Sequence, residues 1–349
     1  MHAREQSEPM PPFYIHLPSV RPMVAGTLAK WFVHAIEARA APEARKVILA
    51  ELSRQKQAAL DAESPNAEHL TEVINALKER RLGRRRQAAG EIHFVVVDNA
   101  VYYHEKPMNE THTPQALQLA RALNGIGNQH GVYVHYVTPA EIQPWLLAQY
   151  LPSLYAHKDG WKLKVGPGEG TNIALAYVRA YHQRHYRGKA RLLRMSDDTA
   201  PITAKTQVEL ANGTRTAAQY RNFFADQERI ITGGLDVRKA YQGYADATGN
   251  LVSQTTHYNS VFLVRYAHPN DIPYYHAGKD EDLYYRAPAS VETFRTPTYL
   301  RHAGKESTWR LREGMRIFSH EYSQQEMAIP PELVETITRA SGIRSEPSS

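Results

Sequence analysis

The chain predicts an α/β protein, a mixed and largely parallel sheet flanked by helices, and three observations carry that reading. Apolar runs of strand length alternate with segments of helical period from Ile92 onward. One run, IHFVVVDN at Ile92–Asn99, is almost continuously apolar, which fits a strand covered on both faces. Further on, a helix-period segment and a short apolar strand, Leu192–Met195, end in two adjacent carboxylates, Asp197 and Asp198. The carboxyl end of a buried strand is where an α/β sheet presents groups to a ligand crevice.

The elements follow in chain order. Residues 1–12, with Pro9, Pro11 and Pro12, read as a polar, disordered tail. Residues 13–90 read as a helical N-terminal extension ending in a basic linker. Within it Trp31, Val33 and Ile36, then Val47, Ile48 and Leu52, then Leu70, Val73, Ile74 and Leu77 recur at helical spacing between Thr27 and Arg81. Pro42 and Pro65 stand where first turns of new helices begin.

Residues 91–330 carry the alternating pattern. After Ile92–Asn99, Thr113 caps a helix with Pro114 at its first position, running to Gly125. A second strand covers Val132–Thr138, followed by a helix around Ala140–Tyr150 and a short strand at Trp161–Val165. A glycine-rich turn, Gly166 to Asn172, leads into a helix over Asn172–Tyr186 and then into the acidic strand end. Beyond Val208 the periodicity weakens, with strands expected at Arg229–Thr232 and Ser260–Arg265. Residues 331–349 read as a C-terminal helix and tail, the helix fading by Gly342.

Composition narrows the function. The absence of cysteine excludes disulfides, thiolate zinc sites and cysteine nucleophiles. No apolar run approaches the ~18 residues of a membrane span, and MHAREQSEPMPP lacks the apolar centre of a signal peptide. A soluble, cytoplasmic protein with no transmembrane segment is expected. A net charge of +6 favours an anionic ligand. The densest basic run, KERRLGRRR at Lys78–Arg86, reads either as a solvated helix end and linker or as a contact for nucleic acid or an acidic surface. Seventeen histidines and 21 tyrosines suit an amphipathic sugar or peptide groove.

Three constellations bear chemistry. Ser196-Asp197-Asp198 offers hard oxygen ligands for Mg²⁺ or Mn²⁺, which would neutralise a diphosphate leaving group, with a plain loop or cap as the competing reading. In Gly166-Pro-Gly-Glu-Gly170-Thr171-Asn172 the glycines allow close backbone approach, and Thr171 or Asn172 caps a helix whose N-terminus favours anions. Gly170 and Asn172 are therefore candidate cofactor-binding residues, with a plain tight turn as the competing reading. The third is AGKDEDLYYRA at Ala277–Ala287, followed by FSHEY at Phe318–Tyr322. An acid there can deprotonate an acceptor hydroxyl, whereas acids in a helix's first turn are the structural alternative.

The order of these pieces, over roughly Glu91 to Tyr322, resembles the GT-A fold nucleotide-sugar glycosyltransferases. VVVDN stands at their first nucleotide-binding strand, GEGTNIALAYVRA at the helix before the DxD-type motif, and SDD at that motif. GKDEDLYYR resembles their glycine-and-acid motif, and His320 in FSHEY matches a late histidine. The resemblance implies that Asp98 or Asn99 meets the base or ribose. It further implies that Asp198, with Asp197 nearby, binds metal and diphosphate, and that His320 completes the metal site. In an inverting enzyme the catalytic base falls on Asp280, with Asp282 the rival. Two departures stand out: Ser196 replaces the first acid of DxD, and Lys279 stands where an acid is frequent. Residues 13–90 lie outside the resemblance.

The expected activity is thus metal-dependent transfer of a sugar from a nucleoside-diphosphate sugar to an unidentified acceptor, a glycan, peptide or small molecule. A sugar nucleotidyltransferase is the alternative, but AVYYHEKPMNE after Asn99 has no glycine and one lysine where a triphosphate loop is needed. Third comes a nucleic-acid-binding protein working through Arg80–Arg86, which leaves the acidic constellations without a role.

Overall fold

The computed structural model describes residues 10–19, 24–79, 90–98, 102–103, 106–107, 113–138, 140–142, 144–145, 167–195, 199–201, 206–209, 215–218, 224, 235–236, 265–272, 299–301 and 328–344. Its centre is a five-stranded sheet built from β1 (Phe13–Ser19), β2 (Ile92–Asp98), β3 (Val132–Val137), β4 (Ala190–Arg194) and β5 (Arg265–Ala267), in the order β5-β4-β1-β2-β3. β4, β1, β2 and β3 run parallel, and β5 adds antiparallel to β4. The mostly parallel α/β architecture expected from the alternating pattern is what the chain forms. Short two-residue to four-residue strands pair elsewhere, as at Thr206–Glu209 with Arg215–Ala218.

The connections explain the layers. β1 passes to β2 through α1 (Val24–Arg39), α2 (Arg45–Asp61) and α3 (Asn66–Glu79), and β2 passes to β3 through α4 (Thr113–Gly127). These steps move in one direction across the sheet. The chain then returns past β1 to place β4 on its other side, through α5 (Pro167–His185). Right-handed crossovers put helices on one face for the first direction and on the opposite face for the reverse. Accordingly Phe13, Ile15, Leu17, Phe94, Val96, Val134 and Leu193 pack with α1, α3 and α4 in one core. Tyr14, Val95, Val97 and Leu192 pack with α5 and α6 (Pro331–Ala340) in another.

β2 shows why its sequence has no alternation: every residue from Ile92 to Asp98 is buried, because both faces are covered. α1 is likewise buried nearly all round, with Trp31 and Phe32 in the first core.

Residues 13–90 differ from the expected helical extension. Phe13–Ser19 is the central strand of the sheet, paired on both sides, and α1–α3 form one crossover of it. The tail expected over residues 1–12 also differs at its end. Pro12 is buried and its carbonyl accepts the Arg191 N–H at 2.9 Å, while Phe13 N–H donates to the Glu91 carbonyl at 2.7 Å. A third difference concerns α5, which begins at Pro167 rather than Asn172, so the glycine-rich segment is its first turn and not a turn preceding it. Pro at a first helical position has no hydrogen bond to lose. Of the helix expected over Ala140–Tyr150, residues 140–142 and 144–145 are helical. The strands expected at Trp161–Val165 and Arg229–Thr232, and residues 260–264 of the one expected over Ser260–Arg265, lie outside the described residues.

The outer edge of β3 is sealed by side chains. Asn124 of α4 accepts the Val134 N–H through Oδ1 and donates through Nδ2 to the Val134 carbonyl, both at 2.7 Å, reproducing a neighbouring strand's two bonds. Ser341 Oγ accepts the Tyr136 N–H at 2.9 Å. The carbonyls at the end of α6 are in turn held by α4 and the turn that follows it: Arg121 donates to Ala340, Asn124 to Ser341 and Asn128 to Gly342. Last-turn carbonyls lack intrahelical donors, so these contacts satisfy them. They also blunt an edge that would otherwise template pairing.

Candidate functional site

The sheet reverses its winding between β1 and β4, which makes their carboxyl ends the switch point where α/β sheets hold ligands. The described backbone pairing between them ends there. In a parallel strand alternate residues bond to opposite neighbours. Phe13 bonds toward β2, whereas Pro12 and His16 bond toward β4, the His16 carbonyl accepting the Met195 N–H at 2.8 Å. By that alternation residue 18 faces β4 as well, and residue 18 is proline. Pro18 remains in register with Val97 of β2, but it has no N–H to continue the ladder with β4. The described β1–β4 pairing stops at His16 and Arg194, and the sequence runs from Met195 directly into Ser196-Asp197-Asp198.

Asp98 closes β2 at the same edge, in register with Ser19 of β1. Its side chain is only 1% exposed and lies on the α1–α4 face. Oδ2 accepts from Thr113 Oγ1 at 2.5 Å and from Tyr136 Oη at 2.8 Å. Thr113 is the first residue of α4, so its hydroxyl donates to β2 at the helix start. Burial, and then the Asp98 charge, push the Tyr136 phenol well above its usual range, so it stays a donor. Asp98 thus ties β2, β3 and α4 together. On β3, the Thr138 N–H and Oγ1 both donate to Glu141 Oε2, at 3.0 and 3.1 Å, which fixes the turn leaving that strand.

α5 reaches this edge with its N-terminal half, because His182 near its C-terminus and Tyr186 just after it lie against Tyr14 and Glu91 at the opposite edge. Gly170 is buried and Asn172 is 0% exposed in its opening turns, with Thr171 buried between them. Of the residues singled out from sequence, Asp98, Gly170 and Asn172 are placed, all buried. Asn99, Asp197, Asp198, Asp280, Asp282 and His320 lie outside the described residues, as does the basic run from Arg80 to Arg86. Among the described residues no group of three or more His, Asp or Glu side chains is placed to hold a metal ion, and the expected ligands Asp198 and His320 are not among them. Also among the described residues, no helix is long and apolar enough to cross a membrane.

Sequence reasoning missed two features. One is the Pro18 break in β1, signalled only by a proline inside a short apolar run. The other is a histidine–tyrosine cluster between the sheet and α5. His93 stacks on Tyr14 and on Tyr133, each 4.8 Å between centroids, and Tyr177 and Tyr181 pack on His135. Part of the abundant histidine and tyrosine is therefore interior structure and not the lining of a groove. No protein-family model matches the chain, and neither a characterised protein nor a solved structure shows significant similarity to it.

Proposed function

We propose that the chain is a GT-A-type glycosyltransferase that takes a nucleoside-diphosphate sugar at the carboxyl edge between β1 and β4. One observation carries the reading: the strand that forms a wall of the switch point is the one whose sequence continues into Ser196-Asp197-Asp198. The missing N–H of Pro18 supports it by ending the β1–β4 ladder just short of those acids.

In this reading Asp198, with His320, holds a Mn²⁺ or Mg²⁺ ion, and Asp197 lies beside the diphosphate. The ion supplies charge neutralisation for the nucleoside-diphosphate leaving group. Asp280, with Asp282 as rival, takes the proton from the acceptor hydroxyl as its oxygen bonds to the sugar and the sugar–phosphate bond breaks. The buried Asp98 carboxylate acts as a positioning group, and the base- or ribose-contacting role falls to Asn99, which follows it. Gly170 and Asn172 shape the end of α5 that faces the donor.

Two variants test the roles. Asp280→Asn abolishes sugar transfer while leaving nucleotide affinity intact, and near-normal transfer by that variant would overturn the assignment. Asp198→Ala weakens donor binding in the presence of Mn²⁺. Identical titrations of both proteins with and without the ion would remove Asp198 from the site.

A further inference from the structure

The cluster between the sheet and α5 contains a continuous hydrogen-bonded chain that the proposed transfer does not use. Tyr186 Oη donates to Glu91 Oε2. His93 Nε2 lies 2.9 Å from Tyr186 Oη, and His93 Nδ1 lies 3.0 Å from His135 Nε2. His135 Nδ1 is 2.8 Å from Tyr177 Oη, which is 2.9 Å from Thr338 Oγ1 on α6. The carboxylate at one end can only accept, and that fixes every proton in the row. Tyr186 gives its proton to Glu91 and so accepts from His93 Nε2–H. His93 Nδ1 must then accept from His135 Nε2–H, and His135 Nδ1 from Tyr177. Tyr177 in turn accepts from Thr338, which divides its proton between that phenol and the Val334 carbonyl at 2.7 Å.

Both imidazoles are thus single tautomers whose bare nitrogen already accepts a hydrogen bond. A second proton on His93 Nδ1 sets two N–H donors face to face at 3.0 Å, one on His135 Nδ1 meets the Tyr177 hydroxyl proton at 2.8 Å and turns it toward Thr338, and either leaves a cation among phenols. The surroundings offer little to balance that charge. β1 contributes Tyr14, and β3 contributes Tyr133 beside His135. α5 contributes Tyr177, Tyr181, His182 and His185, Tyr186 follows that helix directly, and α6 contributes Thr338. His268 packs on His182, and Arg39 of α1 adds positive charge. Among the described residues the carboxylates acting on the cluster are Glu91, bonded to Tyr186 and Tyr133, and Glu141, felt by Tyr177.

We propose that this row is an acid-sensitive clasp, in which proton uptake by the His93–His135 pair detaches α5 from the sheet while the α1–α4 face stays folded. The direction agrees with the environment: burial, and then neighbouring positive histidines, hold His93 well below the usual imidazole range and lower His135 to about 3. The opposite core is joined by Trp31, Phe32, Phe94 and Leu193, and none of the row's groups enters it. Because α5 runs from the clasp to the carboxyl edge, its release changes the ligand crevice as well.

Hydrogen exchange on the wild-type chain at pH 7.5 and 5.0, corrected for intrinsic rates, tests the clasp. Amides at 173–185 are expected to exchange at least about tenfold faster at pH 5.0 while those at 28–36 and 70–77 do not change. Unchanged exchange in α5, or equal acceleration in all three segments, overturns the proposal. His135→Gln keeps a donor and an acceptor without a titrating ring, and it is expected to blunt the acid response. A variant as acid-sensitive as wild type excludes the histidine pair as sensor, and the wild-type comparison decides the matter even where the variant fails to fold.

Discussion

Asn124 shows how much structure one uncharged side chain can hold. Its amide satisfies both backbone groups of Val134 and the Ser341 carbonyl, all buried. Asn124→Ala leaves those three groups unpaired and should lower stability by at least about 3 kcal/mol, since each orphaned buried group costs about 1–3. A urea-denaturation midpoint equal to wild type would show the edge pairing to be replaceable by water. Asp98 makes a different demand. Tyr136→Phe removes the hydroxyl that donates to its Oδ2 from β3 and should cost about 1.5–3 kcal/mol, the range for a hydrogen bond to a charged group. An unperturbed Tyr136→Phe protein would mean that Asp98 is not an anchor. At Pro18 the expected gain is local. Pro18→Val restores an N–H directed toward β4, so its amide should be protected from exchange, and a freely exchanging amide there contradicts the ladder-break account.

The elements differ in how plainly the sequence announces them. β2 and β3 are continuous apolar runs between clear turn residues, and α2 and α3 have apolar residues at helical spacing with prolines at their starts, so all four are legible. β1 is not. FYIHLPS is buried on both faces from Phe13 to Leu17, so it has neither alternation nor helical period, and prolines on each side imitate a loop. Only its partners β2 and β4, distant in sequence, define it as the centre of the sheet. The first turn of α5 was hidden for a related reason. Glycines at 168 and 170 lower helix propensity, yet tertiary packing around the buried Thr171 and Asn172 overrides it. α6 was legible as a helix but not as a seal. Removing residues 328–349 exposes the outer edge of β3 at Tyr136 and strips the partner of Tyr177, so the truncated chain should self-associate. A monomer by light scattering after size-exclusion would contradict that role.

The described molecule combines an apolar core on one face of its sheet with a core holding buried histidines on the other. His93 and His135 are held neutral, their folded values lying below the unfolded imidazole value of about 6.5. Their contribution to stability is therefore complete above that pH and is lost as the pH falls toward the folded values. The urea midpoint should already decline between pH 6.5 and 5, a window above ordinary carboxylate titration. A flat midpoint there would mean that the pair does not uncouple the folded and unfolded proton affinities.

Function was legible at the carboxyl edge only in outline. The sequence places Asp197 and Asp198 after a buried strand, and the fold adds that this strand borders the switch point, beside Pro18. The acids at Asp280 and Asp282 and the histidine at His320 enter through motif order alone, because no local periodicity ties them to the sheet. The most direct measurement is thermal unfolding of the purified chain with UDP, GDP, CDP, dTDP and ATP, each with and without Mn²⁺. Stabilisation by one nucleoside diphosphate that requires the ion is the result the account predicts, by linkage of binding to folding. No shift with any nucleotide in the presence of Mn²⁺ would contradict it.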